Sequence, residues 1–170
     1  MPQKDYIGSK IVVKQKLLTI DMDELYKMLR TWFEDRNYEI VEKDFQEHID
    51  EKGIRHTYFK WVISRKADNY TKLTIDLEFN SATKDVVIEK ETKTIAQRGS
   101  VEVSFRPYLL KDIEEEWRIR EKGVVRKFLR ELYDKVFGSD KFESYTKKLE
   151  SDMQAVIADV KTFLRIRRFE

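Results

Sequence analysis

The chain carries two histidines, His48 and His56, on either side of Asp50, Glu51, Lys52 and Gly53. If those four residues form a hairpin connection, the two rings lie roughly opposite each other, with Glu47 and Asp50 close by. Two imidazoles and a carboxylate are donors suited to zinc. The competing reading is a pair of exposed polar residues near a hairpin end. A metal site needs three converging ligands and a supporting outer shell. The sequence supplies no such set, so His48 and His56 are weak metal candidates, and no metal or cofactor is expected.

Other chemistry is equally short of parts. There is no phosphate-cradling glycine loop, no G-x-G-x-x-G, no G-x-S-x-G and no H-E-x-x-H. A serine or threonine nucleophile needs a base, and the histidines both sit in the hairpin. Glu114, Glu115 and Glu116 read as a solvated acidic run. The absence of cysteine excludes disulfides, thiolate catalysis and zinc-thiolate sites. The expectation leans away from an enzyme.

Charge and composition narrow the partners. Lys and Arg number 34 against 32 Asp and Glu, a formal charge of +2. A protein dedicated to duplex DNA shows a larger basic excess, so nucleic acid is disfavoured. The basic, aromatic C-terminal stretch is the one place where it could bind. Arg165, Arg167 and Arg168 there are candidates for a partner contact, although the negative pole of a helix end explains them equally well. Trp117, set among Arg118 and Arg120, is a further partner candidate, with packing at the core edge as the simpler account. No run approaches the roughly 18 apolar residues that span a membrane, and the first residues lack a signal-peptide layout. A cytoplasmic protein is expected. Charged residues make up 39% of the chain, and Asn and Gln are sparse; that bias suits a heat-adapted organism.

These residues need a scaffold, and the clearest piece of it is residues 71–80. Leu73, Ile75, Leu77 and Phe79 alternate with Lys72, Thr74, Asp76 and Glu78. A period of two puts the first four on one face of a strand and the polar four on the other. Phe59, Trp61 and Ile63 carry the same rhythm upstream. Residues 10–18 predict a first strand. A helix follows from Asp21, with Glu24 three residues on and a stripe of Leu25, Met28, Leu29, Trp32 and Phe33. Asn37 suits its left-handed stop. Residues 38–49, 54–65, 71–80, 85–96 and 100–110 predict five more strands, with turns at 81–84 and 97–100 and a bend, bulge or edge at Pro107. A charged connection at 111–122 leads to a helix over 124–137. A last helix of about 25 residues, nearly 40 Å long at 1.5 Å per residue, carries Phe142, Tyr145, Leu149, Met153, Val156, Ile157, Val160, Phe163 and Leu164. One domain over residues 1–170 is expected.

The predicted class is therefore α+β: a six-stranded antiparallel sheet in the order strand, helix, five strands, two helices, covered on one face. That order resembles the helix-grip arrangement of the START and Bet v 1-like superfamily. The resemblance implies a curved sheet wrapped around a long C-terminal helix and an apolar ligand held between them. The ligand-pocket candidates are Phe59, Trp61, Ile75, Leu77, Val103, Phe105, Val156 and Val160, and the implied partner is a hydrophobic small molecule or lipid. The alternative is a structural or interaction domain that forms a homo-oligomer.

Overall fold

A computed structural model describes residues 3–89, 93–111 and 138–168. Strands β1 (Gln3–Tyr6), β2 (Ile11–Ile20), β3 (Glu39–Ile49), β4 (Arg55–Lys66), β5 (Thr71–Glu89) and β6 (Lys93–Lys111) form one antiparallel sheet. Helix α1 (Met22–Glu34) links β2 to β3, and α2 (Gly138–Arg168) closes the described chain. The sheet order is β1-β6-β5-β4-β3, with β2 also paired to β6. The α+β class and the antiparallel sheet agree with the sequence. No helix among the described residues is long and apolar enough to cross a membrane.

The local signals worked through their expected physics. Asp21 caps α1, its side chain accepting from the backbone N–H of Asp23 and Glu24. Asn37 ends the helix at φ 62°, where Tyr38 N–H reaches back to the Phe33 carbonyl and Asn37 N–H to that of Glu34. That pair of bonds satisfies carbonyls the helix leaves open. Gly53, at φ 78°, completes the β3–β4 turn.

The division of the later strands differs from the expected one. The polar run at 81–84 is not a turn: β5 continues through it to Glu89. The expected strand over 85–96 falls on the last residues of β5 and the first residues of β6, and residues 90–92 lie outside the described residues. The run at 97–100 lies within β6. Small polar residues at a strand pair read as a turn when taken alone. Here their backbone groups are consumed by an unbroken ladder from Thr71–Lys111 to Glu89–Lys93. β1 was also unforeseen. It pairs with the end of β6 from Gln3–Lys111 to Tyr6–Tyr108. The predicted helix over 124–137 and Trp117 lie outside the described residues.

Pro107 falls where the neighbouring ladder is interrupted. β1 stops at Tyr108 and β2 begins opposite Phe105, and Ile7 N–H donates to the Pro107 carbonyl between them. A residue that cannot donate is tolerated at such a gap.

The inner face is the core. Phe59, Trp61, Ile63, Leu73, Ile75, Leu77, Phe79, Val103 and Phe105 are buried against Leu25, Leu29, Trp32 and Phe33 of α1 and Leu149, Met153, Val156, Val160 and Leu164 of α2. The outer face is wetter but not uniformly so. Lys60 pairs with Glu78 and Lys14 with Glu102, whereas Thr74 and Tyr108 are buried. The Tyr108 ring lies 5.4 Å from Tyr6 with the Lys4 ammonium above it, and it stands in register beside Thr74.

Polar contacts fix α2 at three points. Trp32 Nε1–H donates to Asp159 (2.8 Å), Tyr38 O–H to the buried Asp152 (2.7 Å) and Tyr145 O–H to Asp68 (2.8 Å). Burial and the Asp68 carboxylate push Tyr145 up to about 12. Burial, then Asp152, raises Tyr38 well above the ordinary tyrosine value. A group whose folded-state pKa is raised stabilises the fold fully below its unfolded value, near 10 for tyrosine, and that stability is lost as pH rises further. Tyr38→Phe should therefore cost about 1.5–3 kcal/mol at pH 7, the range for a hydrogen bond to a charged group. Above pH 10 the gap between variant and native protein should narrow. Urea denaturation at pH 7 and at pH 11 checks this; a constant gap would contradict it.

Candidate functional site

The inner face of the sheet changes character towards one end. In β4 the inward series Ile63, Trp61, Phe59 continues as Thr57 and Arg55. In β5 it runs from Leu77 and Phe79 to Ser81 and Thr83. The register pairs Phe59 with Phe79, Thr57 with Ser81 and Arg55 with Thr83. β3 contributes Phe45 opposite Phe59 and Glu47 opposite Thr57. α1 covers the apolar end and leaves a cavity of about 230 Å³ beneath its first turn.

Aromatic side chains wall this cavity. Phe59 and Phe79 stack with centroids 4.6 Å apart and ring planes within 10°. Tyr26 stands edge-on to Phe59 at 5.5 Å and to Trp61 at 5.0 Å. Phe45 forms part of the rim and is 52% exposed. Met22 and Leu25 close the helix side. The backbone N–H of Met22 donates to Gln97 Oε1 at 3.1 Å, which ties the helix start to β6.

The polar end is built on Arg55. Its guanidinium donates to Glu47 at 2.8 Å and to Asp85 at 3.2 Å. Its Nε–H is buried and has no hydrogen-bond partner among the described residues, and neither has the buried Thr83 hydroxyl on the paired strand. Buried polar atoms are normally satisfied by protein or water. Two orphans on neighbouring inward positions mark a place with unused hydrogen-bonding capacity.

The expected pocket residues divide. Phe59 lines the cavity. Trp61, Ile75, Leu77, Val103, Phe105, Val156 and Val160 are buried in the core cluster, away from the cavity's lining. This cavity sits under α1, while α2 packs against β2 and β6. Met22, Tyr26, Phe45, Glu47, Arg55 and Gln97 were not anticipated. The signal for Arg55 and Thr57 was present in the strand phase: both share the parity of Phe59 and Trp61.

The two histidines stack on each other across the β3–β4 hairpin. His48 and His56 are opposite each other as expected, but their rings stack in parallel, 4.9 Å apart at 16°. Asp50 Oδ2 sits 3.0 Å from His56 Nε2, while Asp50 Oδ1 accepts the N–H groups of Lys52 and Ile54. Asp50 is thereby a hairpin staple, and His56 followed by the two N–H groups holds its carboxyl below the usual range. No three metal-donor side chains converge among the described residues. Arg165 is exposed beside a groove that also touches Lys14 and Lys161. The side chains of Arg167 and Arg168 lie outside the described residues.

No protein-family model matches the chain, and no curated protein matches it. A solved structure of an uncharacterized protein from Rhizobium leguminosarum is similar at 13% identity, covering 87% of this chain and 99% of that one, with a TM-score of 0.20. A likeness that slight carries no argument.

Proposed function

We propose that this chain is a non-catalytic binding domain whose cavity under α1 takes a small, mainly apolar molecule. The observation that carries the reading is the cavity itself, with Phe59 and Phe79 stacked as its floor and Tyr26 and Phe45 as its walls. Pockets for organic ligands are mostly apolar with a few placed polar groups, and Arg55, Glu47 and Gln97 supply those here. At about 230 Å³ the space is below the usual range of roughly 300–1,000 Å³. The occupant is accordingly a fragment-sized molecule or the end of a longer chain. A single antiparallel sheet with a long helix across one face supports kinship with the helix-grip superfamily. Relative to that layout, the pocket is shifted from the last helix towards α1.

Self-association is the rival reading. The edge strand β3 exposes Val41, Phe45 and Ile49. It also carries Glu39, Glu42, Lys43, Asp44 and Glu47, and its register slips between Glu42 and Asp44. Charges and a bulge on an edge strand are devices that oppose pairing with another sheet. Ligand binding accounts for the exposed Phe45 without invoking a second copy.

The test is a titration with benzyl alcohol, followed by backbone amide shifts. Saturable shifts confined to Tyr26, Phe45, Phe59 and Phe79 are expected, and Thr57→Leu, which fills the space from its floor, should abolish them. At tenfold excess over Kd the ligand should stabilise the fold by about 1.4 kcal/mol. Shifts spread over the surface, or unchanged by Thr57→Leu, would refute the proposal.

A further inference from the structure

The charges around the cavity select among apolar ligands. Among the described residues, three ionised side chains line it: Asp23 at the start of α1, Glu47 on β3 and Arg55 on β4. Arg55 is the single cation of these, and it is already divided between Glu47 and Asp85. With Asp85 behind it, the set carries three carboxylates against one guanidinium. An incoming carboxylate or phosphate would meet a guanidinium whose charge is already paired with two carboxylates, and it would stand against excess negative charge.

The positive end of α1 does not reverse this balance. Asp21 takes the N–H groups of Asp23 and Glu24, and Gln97 takes that of Met22. These are the donors that make a bare helix start attractive to anions, and here they are occupied. Asp23, already counted in that set, lies in the same turn.

The walls point the same way as the charges. A cation is drawn to the faces of aromatic rings, more strongly as the site is dried. Tyr26, Phe45, Phe59 and Phe79 offer four rings around a space the size of a small organic group. Aromatic walls beside a carboxylate rim form a receptor for ammonium groups; they do nothing for anions. Building on the binding reading above, we propose that the cavity's ligand is an organic cation: an apolar or aromatic body bearing an amine. The ammonium lies between the aromatic rings and the carboxylates of Glu47 and Asp23, and the apolar body rests on Phe59 and Phe79.

The experiment compares three molecules of nearly one shape, benzylamine, benzyl alcohol and benzoate, titrated into the full chain at pH 7 and followed by amide shifts. Benzylamine should bind about tenfold more tightly than benzyl alcohol, which corresponds to the 1.4 kcal/mol within reach of a cation–ring contact. Benzoate should bind most weakly. Glu47→Gln, which also frees one side of Arg55, should erase the amine preference and strengthen benzoate. Asp23→Asn should reduce the preference without touching Arg55, and it covers the case in which the β3 variant folds poorly. Equal affinity for all three would overturn the cation assignment and leave an apolar pocket. A preference for benzoate would overturn it too, as would an amine preference that neither variant alters. Absence of binding by all three would remove both this inference and the reading beneath it.

Discussion

Gly99→Ala is expected to destabilise the fold by about 3 kcal/mol or more, at the top of the range for overpacking. Gly99 lies in β6 between Thr83 of β5 and Leu18 of β2. A methyl group there would fall 2.0 Å from the Ala82 carbonyl oxygen and 2.9 Å from the Thr83 Cα. Both obstacles are backbone, so no rotamer change relieves them. β5 would have to move away from β6 in the middle of the longest ladder in the sheet. β2 changes register between Gln15 and Leu18 alongside this point. The close approach therefore belongs to the place where three strands adjust to one another. Gly8→Ala and Gly53→Ala provide the comparison. Neither has an atom within 4 Å of the added methyl, although φ is +65° and +78°. Their cost should be the left-handed penalty alone, about 1–2 kcal/mol. Urea denaturation of the three variants measures the difference; Gly99→Ala no worse than the other two would contradict the packing described.

Trp61→Ala should cost about 3–5 kcal/mol, the range for removing a buried large aromatic side chain. Trp61 has no solvent exposure. It lies 4.8 Å from Phe59 and 5.0 Å from Tyr26, and its Nε1–H points at Glu42 at 3.4 Å. Alanine there would leave a void that the neighbouring strands are too constrained to fill. The change also reaches the cavity, because Tyr26 leans on Trp61 and Phe59 together. Benzyl alcohol binding should fall with stability in Trp61→Ala. In Trp61→Phe, which keeps a ring for Tyr26 to rest on, much of the binding should survive. Far-ultraviolet circular dichroism during denaturation gives the stability independently of the lost fluorophore. A cost within about 0.5 kcal/mol, typical of surface positions, would place Trp61 outside the core.

Some of the site was written in plain view. Strand phase alone puts Arg55 and Thr57 beside Phe59 and Trp61, and Ser81 and Thr83 beside Phe79. An inward-facing row that turns from apolar to polar along its length marks the rim of a pocket. Reading 81–84 as a turn hid that row, because strands of 19 residues are long against the usual five or six. Tyr26 was hidden for another reason. It sits one position past Leu25, on the flank of the helical stripe. Its inward role depends on where α1 stops covering the sheet.

By itself the sequence determined the elements whose signals are local. Alternation set the faces of β4 and β5. Asp21 and Asn37 set the ends of α1, and Gly53 set the β3–β4 turn. The stripe on α2 set the side it buries. Hydrogen bonding and side-chain direction within a few residues are enough for each of these. Only the tertiary structure decided that β1 and β2 flank β6, that Gly99 is pressed between two strands, and that the cavity opens under α1. It also brought Asp23, Glu47 and Arg55 to one rim, with Asp85 paired to Arg55. Those four come from separate stretches of chain, and their nearness follows from strand register and helix placement. Pairing across the sheet is fixed by the global burial of one face, a quantity that no short window of residues contains.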